Sequence, residues 1–209
     1  MKSYSLLLIA ITVLLIGCES SSNLLVDSQV SKSTSAISKS FDYELIPLPQ
    51  KSPVWQDSVF TVSKEINGIE GGNILLEKYY VSATGDSVII EADLRIPEGA
   101  FQDTRIITMT VDNEYAVINF YPEMVFIDTL KLFQSFRGLN LENFSTGTLD
   151  FAYIDNDGTA EIIKKNGLQI VINTGLVRVQ NAKLIHFSRY GWIKKTCLPI
   201  HTDPVVEND

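Results

Sequence analysis

The sequence predicts an all-β fold, an antiparallel β-sandwich, on three observations. Between Asp57 and Lys195 the apolar residues alternate or fall in short clusters, and no window sustains a 3.6-residue period over ten residues. Turn chemistry punctuates them at Thr84-Gly85-Asp86, Asp112-Asn113, Asn156-Asp157-Gly158, Asn166-Gly167 and Thr174-Gly175. The runs recur at spacings near ten residues, which suits many short strands packed as two sheets. A chain of 209 residues with an apolar fraction of 45% can bury a core, and its length allows one domain or at most a small pair.

The elements follow in order. Met1-Lys2 supplies a short positive start, and Leu6 to Ile16 is an apolar run broken only by Thr12. A membrane-spanning helix needs about 20 apolar residues, so residues 1–17 read as a signal peptide. Its end, Leu15-Ile16-Gly17-Cys18, resembles the lipobox of bacterial lipoproteins, in which the cysteine thiol takes a diacylglycerol and becomes the mature N-terminus. The expectation is a lipidated Cys18 as membrane anchor, since two or more acyl chains hold a protein to a bilayer where one does not. Glu19 follows in place of the Asp that marks inner-membrane retention, so a cell-envelope location in the outer membrane is expected.

Residues 18–40 hold the anchor and a Ser-rich stretch, with Ser20, Ser21, Ser22, Ser28, Ser31, Ser33, Ser35, Ser38 and Ser40. Such a composition cannot offset its backbone entropy by burial and reads as a disordered linker with a reach on the order of 25 Å. Residues 41–56, with Pro47, Pro49 and Pro53, read as an extended lead-in, because proline disfavours helix and central strand. The sandwich is assigned to residues 57–195 and a tail to 196–209. Strands are expected at Ser58–Ser63, Ile74–Val81, Ser87–Ile96, Thr104–Val111, Ala116–Tyr121, Leu130–Phe136, Thr148–Ile154, Thr159–Lys164, Leu168–Asn173, Leu176–Gln180 and Lys183–Phe187. Asn166-Gly167 is the strongest hairpin signal, Asp128–Gly138 is the one place for a helix, and Leu139 to Phe144 reads as a loop.

Charge and composition exclude several functions. Seventeen Lys and Arg against 25 Asp and Glu give a net charge of −8, and no basic run is longer than a pair, which argues against a nucleic-acid backbone as partner. Two His and two Cys cannot build a Cys-rich zinc site or a framework of two disulfides. With Cys18 lipidated, Cys197 has no thiol left to pair with. No metal or cofactor is expected. Asp155 to Glu161 has the acidic density of a calcium loop, but the flanks read as strands and an EF-hand needs helices, so a tight hairpin turn is favoured. Trp55, Tyr79, Tyr80, Tyr190 and Trp192 offer the alternatives of a sugar-stacking face or ordinary core and rim packing; adjacent Tyr79 and Tyr80 must point to opposite faces of a strand, which favours packing.

His186-Phe187-Ser188 is the most informative triplet. Alternation along a last strand puts His186 and Ser188 on one face, where imidazole and hydroxyl can meet. A hydroxyl beside a base can attack a carbonyl, here the chain's own at Phe187. An N-to-O acyl shift followed by ester hydrolysis cuts the chain, with His186 taking the proton; the alternative is a structural strand with Phe187 in the core. No acidic neighbour in sequence orients His186.

Gly71-Gly72, then Leu94-Arg95-Ile96-Pro97-Glu98-Gly99-Ala100, then Thr104 leading into Ile106 to Val111 resemble the "zonula occludens and netrin-receptor" domain, the ZU-five domain known as the spectrin-binding sandwich of ankyrins. Ile96, Pro97, Gly99 and Ala100 form its Ile-Pro-x-Gly-Ala mark. Phe120-Tyr121-Pro122 resembles the family's Phe-x-Pro segment, and His186 to Tyr190 its closing strand. The resemblance spans about Ile66 to Ile193 and implies a β-sandwich that binds proteins and performs no small-molecule catalysis. It also implies, from members that keep His-Phe-Ser, self-cleavage between Phe187 and Ser188. No death domain or second sandwich follows Ile193, so spectrin binding is not carried over. The expectation is a membrane-anchored lipoprotein contacting an envelope protein or, through its aromatics, a glycan, and not a conventional enzyme.

Overall fold

A computed structural model describes residues 42–196, so the leader, Cys18, the Ser-rich linker and Cys197 with its tail lie outside the described residues. The chain forms β1 (Tyr43–Leu45), β2 (Thr61–Asn67), β3 (Gly72–Val81), β4 (Ser87–Ile96), β5 (Thr104–Val111), β6 (Val117–Tyr121), β7 (Val125–Arg137), β8 (Leu149–Ile154), β9 (Ala160–Ile162), β10 (Gly167–Val171), β11 (Leu176–His186) and β12 (Arg189–Lys195). Two antiparallel sheets pack together. One runs β2-β5-β6-β12-β8-β9, with β1 also on β12; the other runs β10-β11-β7-β4-β3. The predicted all-β sandwich is the observed fold.

Period-two patterning decides which face is buried. On β4, Val88, Ile90, Ala92, Leu94 and Ile96 are all buried, while Ser87, Ile89 and Arg95 between them are exposed. The same rule sends Tyr190 and Trp192 of β12 inward, where Phe151 meets Trp192 edge-on at 5.4 Å and Phe120 meets Tyr190 at 5.9 Å. The proline-rich segment before β2 contributes to this core as well. Ile46 is fully buried, the Tyr80 hydroxyl donates to the Pro49 carbonyl at 2.7 Å, and β1 pairs with the end of β12.

The structure corrects several local readings. Asp128–Gly138 is not helical: β7 runs through it for thirteen residues, paired with β4 on one side and β11 on the other. The expected strands Leu176–Gln180 and Lys183–Phe187 are one strand, β11, bent by a bulge where Asn181 takes a φ of 49°. Asn166-Gly167 makes no hairpin. Strand β9 ends in one sheet and β10 begins in the other, and the Asn166 N–H already donates to the Gln180 carbonyl at 3.0 Å, so this stretch carries the chain between layers. The largest omission is β12, the strand between β6 and β8. Gly191 in its middle argues against a strand, yet a Cβ there would lie 2.5 Å from the Val117 side chain and 2.7 Å from the Ala116 carbonyl, so the small residue is required by close packing.

Candidate functional site at the sheet crossover

His186, Phe187 and Ser188 do not lie along one strand as the sequence suggests. They are the corner at which the chain leaves the five-stranded sheet at the end of β11 and enters the seven-stranded sheet at β12. Backbone bonds clamp the corner on both sides: the Phe187 N–H donates to Met124 at 2.8 Å, and the Phe120 N–H donates to Ser188 at 2.8 Å. The Phe187 ring turns inward, stacked on Phe120 at 5.4 Å and edge-on to Phe126 at 4.6 Å.

His186 and Ser188 line one cleft, with Tyr153 beside His186. The His186 ring packs edge-on against Tyr153 of β8 at 4.4 Å, and the Tyr190 hydroxyl donates to the His186 carbonyl at 2.8 Å. Tyr153, Asp155 and Ser188 line the same cleft. Partial burial raises the Tyr153 pKa and Asp155 adds to the rise, which keeps the phenol protonated and able to donate. Burial raises that of Tyr190 further still. Glu123, Met124, Tyr153, Asp155, His186 and Ser188 line a cleft of about 310 Å³. Ser188 is nearly buried, at 8% exposure, and no residue of the triplet has a positive φ.

Sequence reasoning missed Tyr153 and read Asp155 only as part of a hairpin turn. An acidic group is present near the corner after all, supplied by the β8–β9 turn thirty-one positions upstream of His186. Strand alternation on β8 signals that Tyr153 faces inward with Phe151, but nothing local says that this face meets β11 and β12.

The other candidates separate. Residues 155–159 form the hairpin turn between β8 and β9: the Asp155 carboxylate accepts from Asn156 N–H at 2.7 Å, that of Asp157 from Thr159 N–H at 2.8 Å, and Gly158 has a φ of 84°. Among the described residues no three His, Cys, Asp or Glu side chains are grouped to hold a metal ion. The five aromatics do not share a face. Tyr80, Tyr190 and Trp192 are buried, whereas Tyr79 is exposed with Trp55 against it at 5.6 Å. Ile96 ends β4, Pro97 follows, and Gly99 turns the chain at a φ of 76° with its N–H on the Ile69 carbonyl at 3.1 Å; Ala100 is fully buried.

These features define an all-β sandwich with a cleft of mixed lining at its inter-sheet corner and an aromatic pair beside one sheet edge. No family model, curated protein or solved structure matches the chain.

Proposed function

We propose that the chain is a membrane-anchored bacterial lipoprotein of the cell envelope, held through Cys18, whose ZU-five-like sandwich is a protein-interaction module. The observation that carries the binding half of this reading is the outer edge of β3, which is covered at Val81 by the Ser52 N–H and at Asn73 by the Lys64 ammonium but has no strand partner between them among the described residues. Ten residues long, β3 pairs only with β4 in its sheet. Near its end Tyr79, 60% exposed, stands opposite Ile89 and against Trp55. An unpaired edge offers main-chain bonds to a partner's strand, and the aromatic pair beside it offers apolar contact and selectivity. A photoreactive side chain placed at position 79 in cells is expected to yield a discrete protein adduct that is lost when Ile89 is changed to Glu. Absence of any adduct at 79 would remove this edge as the contact. The anchor is tested separately: labelled palmitate should enter the parent chain and not Cys18→Ala.

Self-cleavage is a second reading, favoured by the meeting of His186, Tyr153 and Ser188 at one corner. Attack of the Ser188 hydroxyl on the Phe187 carbonyl breaks the Phe187–Ser188 amide, leaves an ester on Ser188 and frees its amine; water then hydrolyses the ester. The intact mass of the denatured chain, measured beside Ser188→Ala, decides it. Two fragments joined at Phe187–Ser188 in the parent alone support cleavage, and one unbroken mass in both removes it.

A further inference from the structure

On the outer face of the five-stranded sheet, Arg95 of β4 stands directly across from Lys131 of β7, and Lys131 directly across from Lys183 of β11. Like charges in directly opposed positions destabilise a sheet. The arrangement is all the more unusual in a chain of net charge −8. Arg95 is partly answered by Asp93 at 2.9 Å, but among the described residues no carboxylate lies within ion-pair distance of Lys131 or Lys183, and both are exposed. With strands about 4.8 Å apart, the three cations form a flat row about 10 Å long.

A second feature continues the same face. Two residues beyond Lys183, Ile185 is 60% exposed; on β7, running the same way from Lys131, Ile127 is 67% and Val125 78% exposed, while Phe126 between them packs on the core. Asp128, beside Ile127, is exposed, and its carboxylate accepts from the Thr129 N–H. A row of cations bordered by bare aliphatic side chains is what a surface needs in order to sit on an anionic bilayer, with ammonium groups at the phosphates and the aliphatics at the boundary with the acyl chains. An acidic peptide or polymer would be served by the cations alone and leaves Val125, Ile127 and Ile185 in water.

We propose that this face, Arg95–Lys131–Lys183 with Val125, Ile127 and Ile185, docks the sandwich flat against a bilayer rich in anionic phospholipid. It is distinct from the aromatic pair at Tyr79, which lies six residues along β4 from the Arg95 row, about 20 Å away.

The test is lysine footprinting of the full chain with an amine-acylating reagent, read residue by residue by mass spectrometry, on vesicles of phosphatidylglycerol and of phosphatidylcholine. Each basic residue near such a surface contributes about 1 kcal/mol, so labelling of Lys131 and Lys183 is expected to slow by roughly fivefold or more on phosphatidylglycerol. Lys194, on β12 of the other sheet and held by Glu44, should be unchanged, and 0.5 M salt, as a trial concentration of about five times the usual 0.1 M, should abolish the protection. I127E with I185E should also lose it while leaving thermal unfolding intact, since both positions are exposed. Equal rates on both lipids, or protection of Lys194 to the same degree, overturn the proposal. Palmitate incorporation at Cys18 is read independently, so failure of the anchor and failure of the docking face give different results.

Discussion

Asp150 shows how one residue secures a junction that its neighbours in sequence do not reveal. Its carboxylate meets Lys165 at 2.7 Å and Lys195 at 3.1 Å, and it accepts from the Phe151 N–H at 2.8 Å. Lys165 belongs to the crossover from β9 to β10 and Lys195 to the end of β12, so the triad ties the layer change to the central strand. Both the Asp150 and Lys165 side chains are mostly buried, at 13% and 14% exposure. Burial by itself raises the Asp150 pKa, but the two ammonium groups and the amide outweigh it and the net shift is downward. A carboxyl whose folded pKa lies below its unfolded value stabilises the fold in full above the unfolded value and loses that contribution as pH falls through the folded one. Asp150→Asn should therefore cost about 3 kcal/mol at neutral pH by leaving Lys165 without its partner. In thermal melts taken from pH 7 to pH 2, the gap between parent and variant should begin to narrow below about pH 4, the unfolded value, and close only as pH falls through the lower folded value, where both carry a neutral group. A gap of constant size across the range would refute the charge assignment.

Strands and turns differ in how well their own residues announce them. At the β4 end, Pro97 and Gly99 mark a turn, and Gly99 has open space where a Cβ would stand. Gly99→Val should cost only the left-handed conformation, about 1–2 kcal/mol. Gly175, between β10 and β11 at a φ of 58°, differs because a Cβ there would lie 2.0 Å from the Leu139 carbonyl. Gly175→Ala should be the more damaging of the two in urea unfolding, despite the smaller side chain, because backbone must move. Both glycines are visible as turn signals in the sequence, but the difference between them belongs to the loop at Leu139 that folds against one and not the other. The alternation of β4 is similarly legible, as five buried residues in register identify it alone. Strand β12 is not, because Gly191 and the flanking Arg189, Lys194 and Lys195 obscure a Tyr190-x-Trp192 alternation that only its two neighbouring strands make decisive. Asn166-Gly167 misleads for the converse reason: a dipeptide suited to a tight turn here serves a change of layer.

At the scale of the molecule, the two sheets are joined through the corner at Phe187, which is 2% exposed and in contact with Phe120 and Phe126. Because those rings belong to β6 and β7, one in each sheet, removing the central one should loosen both layers together. Phe187→Ala is expected to lower stability by about 3–5 kcal/mol in a single cooperative transition. Separate transitions for the two sheets would show that the corner does not couple them.

The sequence alone was enough to determine the class of fold and most strands, because burial of alternate residues on a pleated sheet is a short-range pattern with a period of two. It also raised the expectations of an anchor at Cys18 and of chemistry at His186 and Ser188. Tertiary structure decided everything that requires distant strands to be neighbours: the place of β12, the meeting of Tyr153 and Asp155 with His186, and the row of Arg95, Lys131 and Lys183. Each brings together residues from strands far apart in the chain, and pairing register, on which such encounters depend, is set by the packing of whole sheets and not by any local stretch of residues.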